Sequence, residues 1–173
     1  MPEMMEGAAE PVLPTFLLEP YIIGGGGTIL FAPPGRGKSY TGMLMAVSID
    51  AGVRTFWNVD PGRVLFLNLE RARQGVMNRL GLVNRVLGLD PRRKLLTLNA
   101  RGRSLIDVLP SIHKAIHEHG VKHVMLDSIS RAGFGDLTEN QPVNKIMDAL
   151  NGMPCAPWSA LGHTPRGDES HIF

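Results

Sequence analysis

The sequence predicts an α/β fold, a mostly parallel sheet of about five strands flanked by helices. Three observations carry that prediction. The runs Val64-Leu65-Phe66-Leu67-Asn68 and His123-Val124-Met125-Leu126-Asp127 are continuously apolar until they end, the composition of strands buried on both faces. Segments with helical spacing of apolar residues fall between such runs. Strand followed by helix, repeated, is the order that a parallel sheet with right-handed crossovers requires.

Each element follows from local residues. Residues 1–20 hold Pro2, Pro11, Pro14 and Pro20, and read as an extended lead-in that packs loosely before a domain over 21–173. Gly24 to Gly27 reads as a flexible hinge with no chemistry. The first core strand is expected at 28–32. A helix at 37–51 ends at Gly52, a suitable C′ residue. The stretch 53–63 is turn-rich, with Pro61-Gly62; Trp57 there covers a base or packs, and packing is the better reading. A strand at 64–68 precedes a helix at 72–87 and a short strand at 95–99. Leu105, Leu109, Ile112 and Ile116 fall at helical spacing, and Ser104 with Asp107 resembles a capping box. Pro110 inside this pattern is expected to kink the helix or delay its start, and Gly120 ends it. A strand at 123–127, a helix at 141–152 and a strand at 156–162 complete the series. No internal repeat is present.

Bulk properties narrow the function classes. A chain of 173 residues is one domain and buries on the order of 70% of its unfolded surface. An apolar fraction of 43% argues against disorder throughout. The single Cys155 excludes an internal disulfide and reads as a small buried hydrophobe. No apolar run approaches the roughly 18 residues of a membrane span. Glu3, Glu6 and Glu10 without a basic residue do not form a secretory signal, so a cytoplasmic protein is expected. Net charge is only +2, but it is unevenly spread. Residues 71–103 carry nine basic residues (Arg71, Arg73, Arg79, Arg85, Arg92, Arg93, Lys94, Arg101, Arg103) against Asp90 alone. That segment either contacts nucleic-acid phosphates or is a solvated helix face and loop.

The most specific signal is Ala32-Pro33-Pro34-Gly35-Arg36-Gly37-Lys38-Ser39, which lies between the first core strand and its helix. Strand, glycine-bearing loop and helix are the context of a phosphate-binding P-loop. Gly35 and Gly37 allow backbone N–H groups to turn inward, and the helix aims its positive end at the same point. Ala32 stands where the motif usually has its first glycine. The expected nucleotide contacts are Pro34, Gly35, Arg36, Gly37, Lys38, Ser39 and Tyr40. Lys38 suits the β- and γ-phosphates, and the Ser39 hydroxyl suits Mg²⁺.

Two carboxylates extend the argument. Asp127 ends an apolar strand and would lie beside the P-loop at the carboxyl edge of a parallel sheet, where it can hold the Mg²⁺ shell; capping the following turn is its other reading. Glu70 follows the second core strand, where a carboxylate can orient or deprotonate an attacking water; a helix N-terminal glutamate is its other reading. His163, at the end of the last strand, can touch a γ-phosphate, or His163-Thr164-Pro165-Arg166 is a surface turn. His113 and His117, four apart, lack a third metal ligand and read with His119 as solvated.

In this order and spacing the motifs resemble the RecA-like ATPases, and specifically their RepA-like and DnaB-like helicase branch, over about residues 20–173. The resemblance implies Lys38 and Ser39 as phosphate and Mg²⁺ contacts, Asp127 as the Walker B aspartate, Glu70 as the water-activating base and His163 as the γ-phosphate sensor. It implies ATP and Mg²⁺ as cofactors, single-stranded DNA as a partner and a ring of identical subunits. In that family a neighbour's arginine or lysine completes each site. By that pattern the chain is expected to lack the last strands of the domain, with Arg166 a stand-in for the missing cation. The alternatives are a P-loop phosphotransferase and a nucleotide-binding module without hydrolysis.

Overall fold

The computed structural model describes residues 13–129, 140–154 and 157–163. Their order is β1 (Phe16–Leu18), β2 (Ile22–Ile23), β3 (Gly27–Ala32), α1 (Lys38–Ala51), β4 (Val64–Asn68), α2 (Arg73–Val86), β5 (Leu96–Asn99), α3 (Leu105–His119), β6 (His123–Asp127), α4 (Asn140–Asn151) and β7 (Trp158–His163). The five core strands form one parallel sheet in the order β3-β7-β6-β4-β5. This is the α/β, RecA-like P-loop architecture.

The chain travels from β3 to β4 and β5, then reverses through β6 and β7 toward β3. Crossovers of constant hand must change face where the direction of travel reverses. The core divides accordingly. Val64, Phe66 and Met125 join the residues of α1 and α2 in one apolar cluster. Leu65, Leu67, Val124 and Leu126 join those of α3 and α4 in the other. Alternate residues of β4 and β6 thus face opposite layers, and all ten are buried, which is why both strands read as unbroken apolar runs.

The described part of the lead-in, residues 13–20, is not loosely packed. β1 and β2 form an antiparallel pair, and Leu17, Leu18 and Ile22 are buried in the α1/α2 cluster. Burying three aliphatic side chains contributes several kcal/mol, on the order of 2 each, which outweighs the local preference of a proline-flanked segment for open extension. Gly24 to Gly27 is likewise no free hinge. The Gly24 N–H donates to the Thr15 carbonyl at 2.7 Å, and Gly27 is already the first residue of β3. Trp57 packs against the α1/α2 cluster.

Pro110 does not delay α3, which begins at Leu105 under the capping box of Ser104 and Asp107 and includes the proline. The proline removes one donor, while Leu105, Val108, Ile112 and Ile116 remain buried along one stripe. β7 starts two residues later than expected and extends to His163. Cys155, Thr164, Pro165 and Arg166 lie outside the described residues. No helix among the described residues is long and apolar enough to cross a membrane.

Candidate functional site

The strand register brings the predicted residues to one rim. Asn68 of β4 pairs with both Asp127 of β6 and Asn99 of β5. Asp127 pairs with Leu161 of β7, and His163 pairs with Ala32 of β3. Parallel strands end at the same edge, so Asn99, Asn68, Asp127, His163 and Ala32 define the carboxyl rim, where ligands of open α/β sheets bind.

Between β3 and α1 the chain makes the tight loop 33–37. Gly35 and Gly37 have φ of 79° and 78°, angles at which a side chain would be strained. Gly37 is the N-cap of α1 and supplies no side-chain acceptor, and the first turn holds no acidic residue. The N–H groups and positive end of α1 are therefore left for an anion. Lys38 Nζ lies inside the loop, donating to the carbonyls of Ala32 at 2.6 Å and Pro33 at 2.9 Å. Burial pushes the Lys38 ammonium below its ordinary value, and the carboxylates of Glu70 and Asp127 pull it back. Both acids thus act on the loop lysine.

Ser39 Oγ donates to Asp127 Oδ1 at 3.2 Å. Asp127 is only 2% exposed, and burial raises its carboxyl above the usual range against the pull of Ser39 and Arg79. The Ser39 hydroxyl and Asp127 carboxylate are adjacent hard oxygens of the kind Mg²⁺ prefers. No group of three or more His, Cys, Asp or Glu side chains that could hold a metal exists among the described residues. Mg²⁺ takes one or two protein oxygens and completes its shell with phosphate and water, and Ser39 Oγ and Asp127 Oδ1 are two such oxygens.

Glu70 sits in the turn after β4. Asn68 sets that turn: its Oδ1 accepts from the Arg71 N–H at 2.9 Å, and its Nδ2 donates to the Arg71 carbonyl at 2.8 Å. Glu70 Oε2 accepts from Ser128 Oγ at 3.0 Å and lies 3.7 Å from His163 Nε2. The three predicted polar groups of the sheet edge, Glu70, Asp127 and His163, are therefore neighbours.

Arg79 is the residue the sequence reading missed. In the sequence it is one charge of the basic segment, yet it is 7% exposed and its Nη1 lies 3.7 Å from Asp127 Oδ2. Its Cζ is 4.4 Å from the centroid of the Tyr40 ring, a cation–π contact. Nε and Nη1 of Arg79 are buried without a hydrogen-bond acceptor. A signal was present in the sequence: Val76, Arg79, Leu80 and Val83 share the buried stripe of α2, and a charge on such a stripe needs an explanation. The rest of the basic segment does not form one stripe. Arg71 lines the loop cavity, Arg93 pairs with Asp50 at 2.6 Å, and Arg73, Arg85, Arg92, Lys94, Arg101 and Arg103 are exposed.

A cavity of about 290 Å³ lies over the loop, lined by Lys38, Ser39, Tyr40, Arg71, Arg79 and His163 among others. Three cations and a helix N-terminus line a space with two carboxylates beside it. That arrangement can hold a polyanion, a divalent cation and a water. Residues 4–157 match the family model of an AAA domain. No curated protein matches the chain.

Proposed function

The chain belongs to the AAA domain family, whose members are P-loop ATPase-like, and on that premise we propose that it binds Mg-ATP and hydrolyses it. The observation that carries this reading is the convergence of Lys38, Ser39, Asp127 and Glu70 at one end of the parallel sheet. Lys38 and the α1 N-terminus take the β- and γ-phosphates. Ser39 and Asp127 hold Mg²⁺, which when bound neutralises phosphate charge. Arg79, with two buried donors lacking acceptors, is matched to an anion in the same cavity. Glu70 is the group that aligns a water for in-line attack, kept in place by Ser128 Oγ. His163, beside Glu70, reads whether the γ-phosphate is present.

The finer reading is an ATPase of the RepA-like and DnaB-like branch, cytoplasmic, working on single-stranded DNA as a ring of identical subunits. It is supported by the order of motifs along the chain and by the seven exposed cations of the basic segment. Mg-ATP turnover titrated in protein, with and without single-stranded DNA, tests it. Turnover that rises more steeply than protein concentration and increases with DNA is expected. Mg-ATP binding with no turnover at any concentration would leave a nucleotide-binding module. Glu70→Gln should lower turnover by about 10²- to 10⁴-fold while ATP still binds. Unchanged turnover would remove Glu70 from the chemistry.

A further inference from the structure

A second cavity, of about 330 Å³, adjoins the first and shares Lys38 with it. Small-ligand sites are on the order of 300–1,000 Å³. Arg36, Lys38 and Thr41 line it from the loop and the start of α1, while Tyr21, Phe31 and Trp57 supply three aromatic rings. Tyr21 and Phe31 are each 51% exposed, so large ring faces are left open beside the loop.

The rings come from three separate segments, and each is fastened. The Tyr21 N–H donates to the Leu18 carbonyl at 2.8 Å in the turn between β1 and β2. Leu18 forms a bridge with Val59, the Glu19 N–H donates to Asn58 at 3.0 Å, and the Asp60 N–H donates to Leu17 at 2.9 Å. The hairpin and the segment carrying Trp57 are thus sewn together. Trp57 packs against Phe56 with ring centroids 5.8 Å apart. Phe31 of β3 lays its ring over Gly162 of β7, where a Cβ would come within 2.4 Å of it.

We propose that this aromatic cavity seats the base of the nucleoside triphosphate. The inference rests on the triphosphate reading above and adds recognition of the base by ring faces. A nucleotide joins a polyanionic tail to a flat, largely apolar ring system. The two cavities have that same division, cationic on one side of Lys38 and aromatic on the other. The Thr41 hydroxyl is already committed to the Gly37 carbonyl at 3.3 Å. Affinity therefore comes from stacking, which every base face can supply.

The test uses the full chain, Mg²⁺, and two titrants: ATP and inorganic tripolyphosphate. Trp57 reports by its emission, and the change is assigned to it rather than to Trp158, the other tryptophan, by its loss in Trp57→Ala. Both titrants should bind, ATP about tenfold or more tighter, and only ATP should change the Trp57 emission. Trp57→Ala should weaken ATP about tenfold and leave tripolyphosphate unaffected. Tyr21→Ala, at a half-exposed position outside the core, should do the same without loss of folding. Equal affinity for the two titrants with unchanged emission would overturn the base seat and leave the triphosphate site standing. Failure of both titrants to bind at all would remove the triphosphate site and the base seat together.

Discussion

Ser39 and Asp127 stand 88 residues apart in the chain and 3.2 Å apart in space, hydroxyl to carboxylate. One opens α1 and the other closes β6, so the sheet order and the loop geometry must both be right for the pair to form. The pair joins the phosphate side of the site to its acidic side.

Ser39→Ala removes one of the two hard oxygens and the hydrogen bond that lowers the Asp127 carboxyl. The Mg²⁺ concentration needed for half-maximal nucleotide binding should rise by about 10- to 100-fold. A Mg²⁺ titration at fixed ATP measures it, and an unchanged midpoint would exclude Ser39 from the metal shell.

Arg79→Gln tests the buried cation. A hydrogen bond to a charged group contributes about 1.5–3 kcal/mol, so ATP affinity should fall by about tenfold or more. Equilibrium binding of ATP to the parent and variant decides the matter. Equal affinities would confine Arg79 to its contacts with Asp127 and Tyr40.

His123 makes a pH prediction. It is fully buried, its Nδ1 donates to the Pro157 carbonyl at 3.1 Å, and its Nε2 accepts from Ser159 Oγ at 3.1 Å. Burial lowers its pKa from 6.5 to about 4. Between those values the unfolded chain takes up a proton that the folded one refuses. The contribution is complete above about pH 6.5 and is lost as pH falls toward 4, by up to roughly 3 kcal/mol. Asp127, with its carboxyl raised by burial, acts in the opposite direction. Urea midpoints at pH 7 and pH 4.5 should therefore be compared between the parent and His123→Gln, which should lose this acid sensitivity.

Leu18→Ala tests whether the hairpin belongs to the core. Leu18 is fully buried, so the substitution should cost about 2–5 kcal/mol, read from denaturant unfolding. A change below about 1 kcal/mol would restore the loosely packed lead-in.

The sheet was legible because its strands are long and doubly buried: Val64–Asn68 and His123–Asp127 could scarcely be anything else. The loop was legible because a phosphate cradle demands particular residue types at particular spacing. β1 and β2 were not, since strands of three and two residues are too short for periodicity to show, and Pro14 and Pro20 flank the first of them. Asn68 and Arg79 were hidden for another reason. Asn68 looked like the polar end of a strand, and its work on the Glu70 turn depends on the backbone path of residues 68–71. Arg79 looked like one charge among nine until α2 turned it inward. Of the ring cavity only Trp57 stood out, as a side chain that covers a base or packs; its meeting with Tyr21 and Phe31 depends on bringing together the β1–β2 turn, β3 and the 53–63 stretch.

The position of β7 between β3 and β6 has a kinetic consequence. Among the described residues, β3 reaches the sheet only through β7, which follows β4, β5 and β6 in the chain and so leaves the ribosome after them. A nascent chain halted before Trp158 can zip β4, β5 and β6 together while β3 waits unpaired with its loop and helix. Nucleotide capture during translation should therefore switch on abruptly, once β7 slots in.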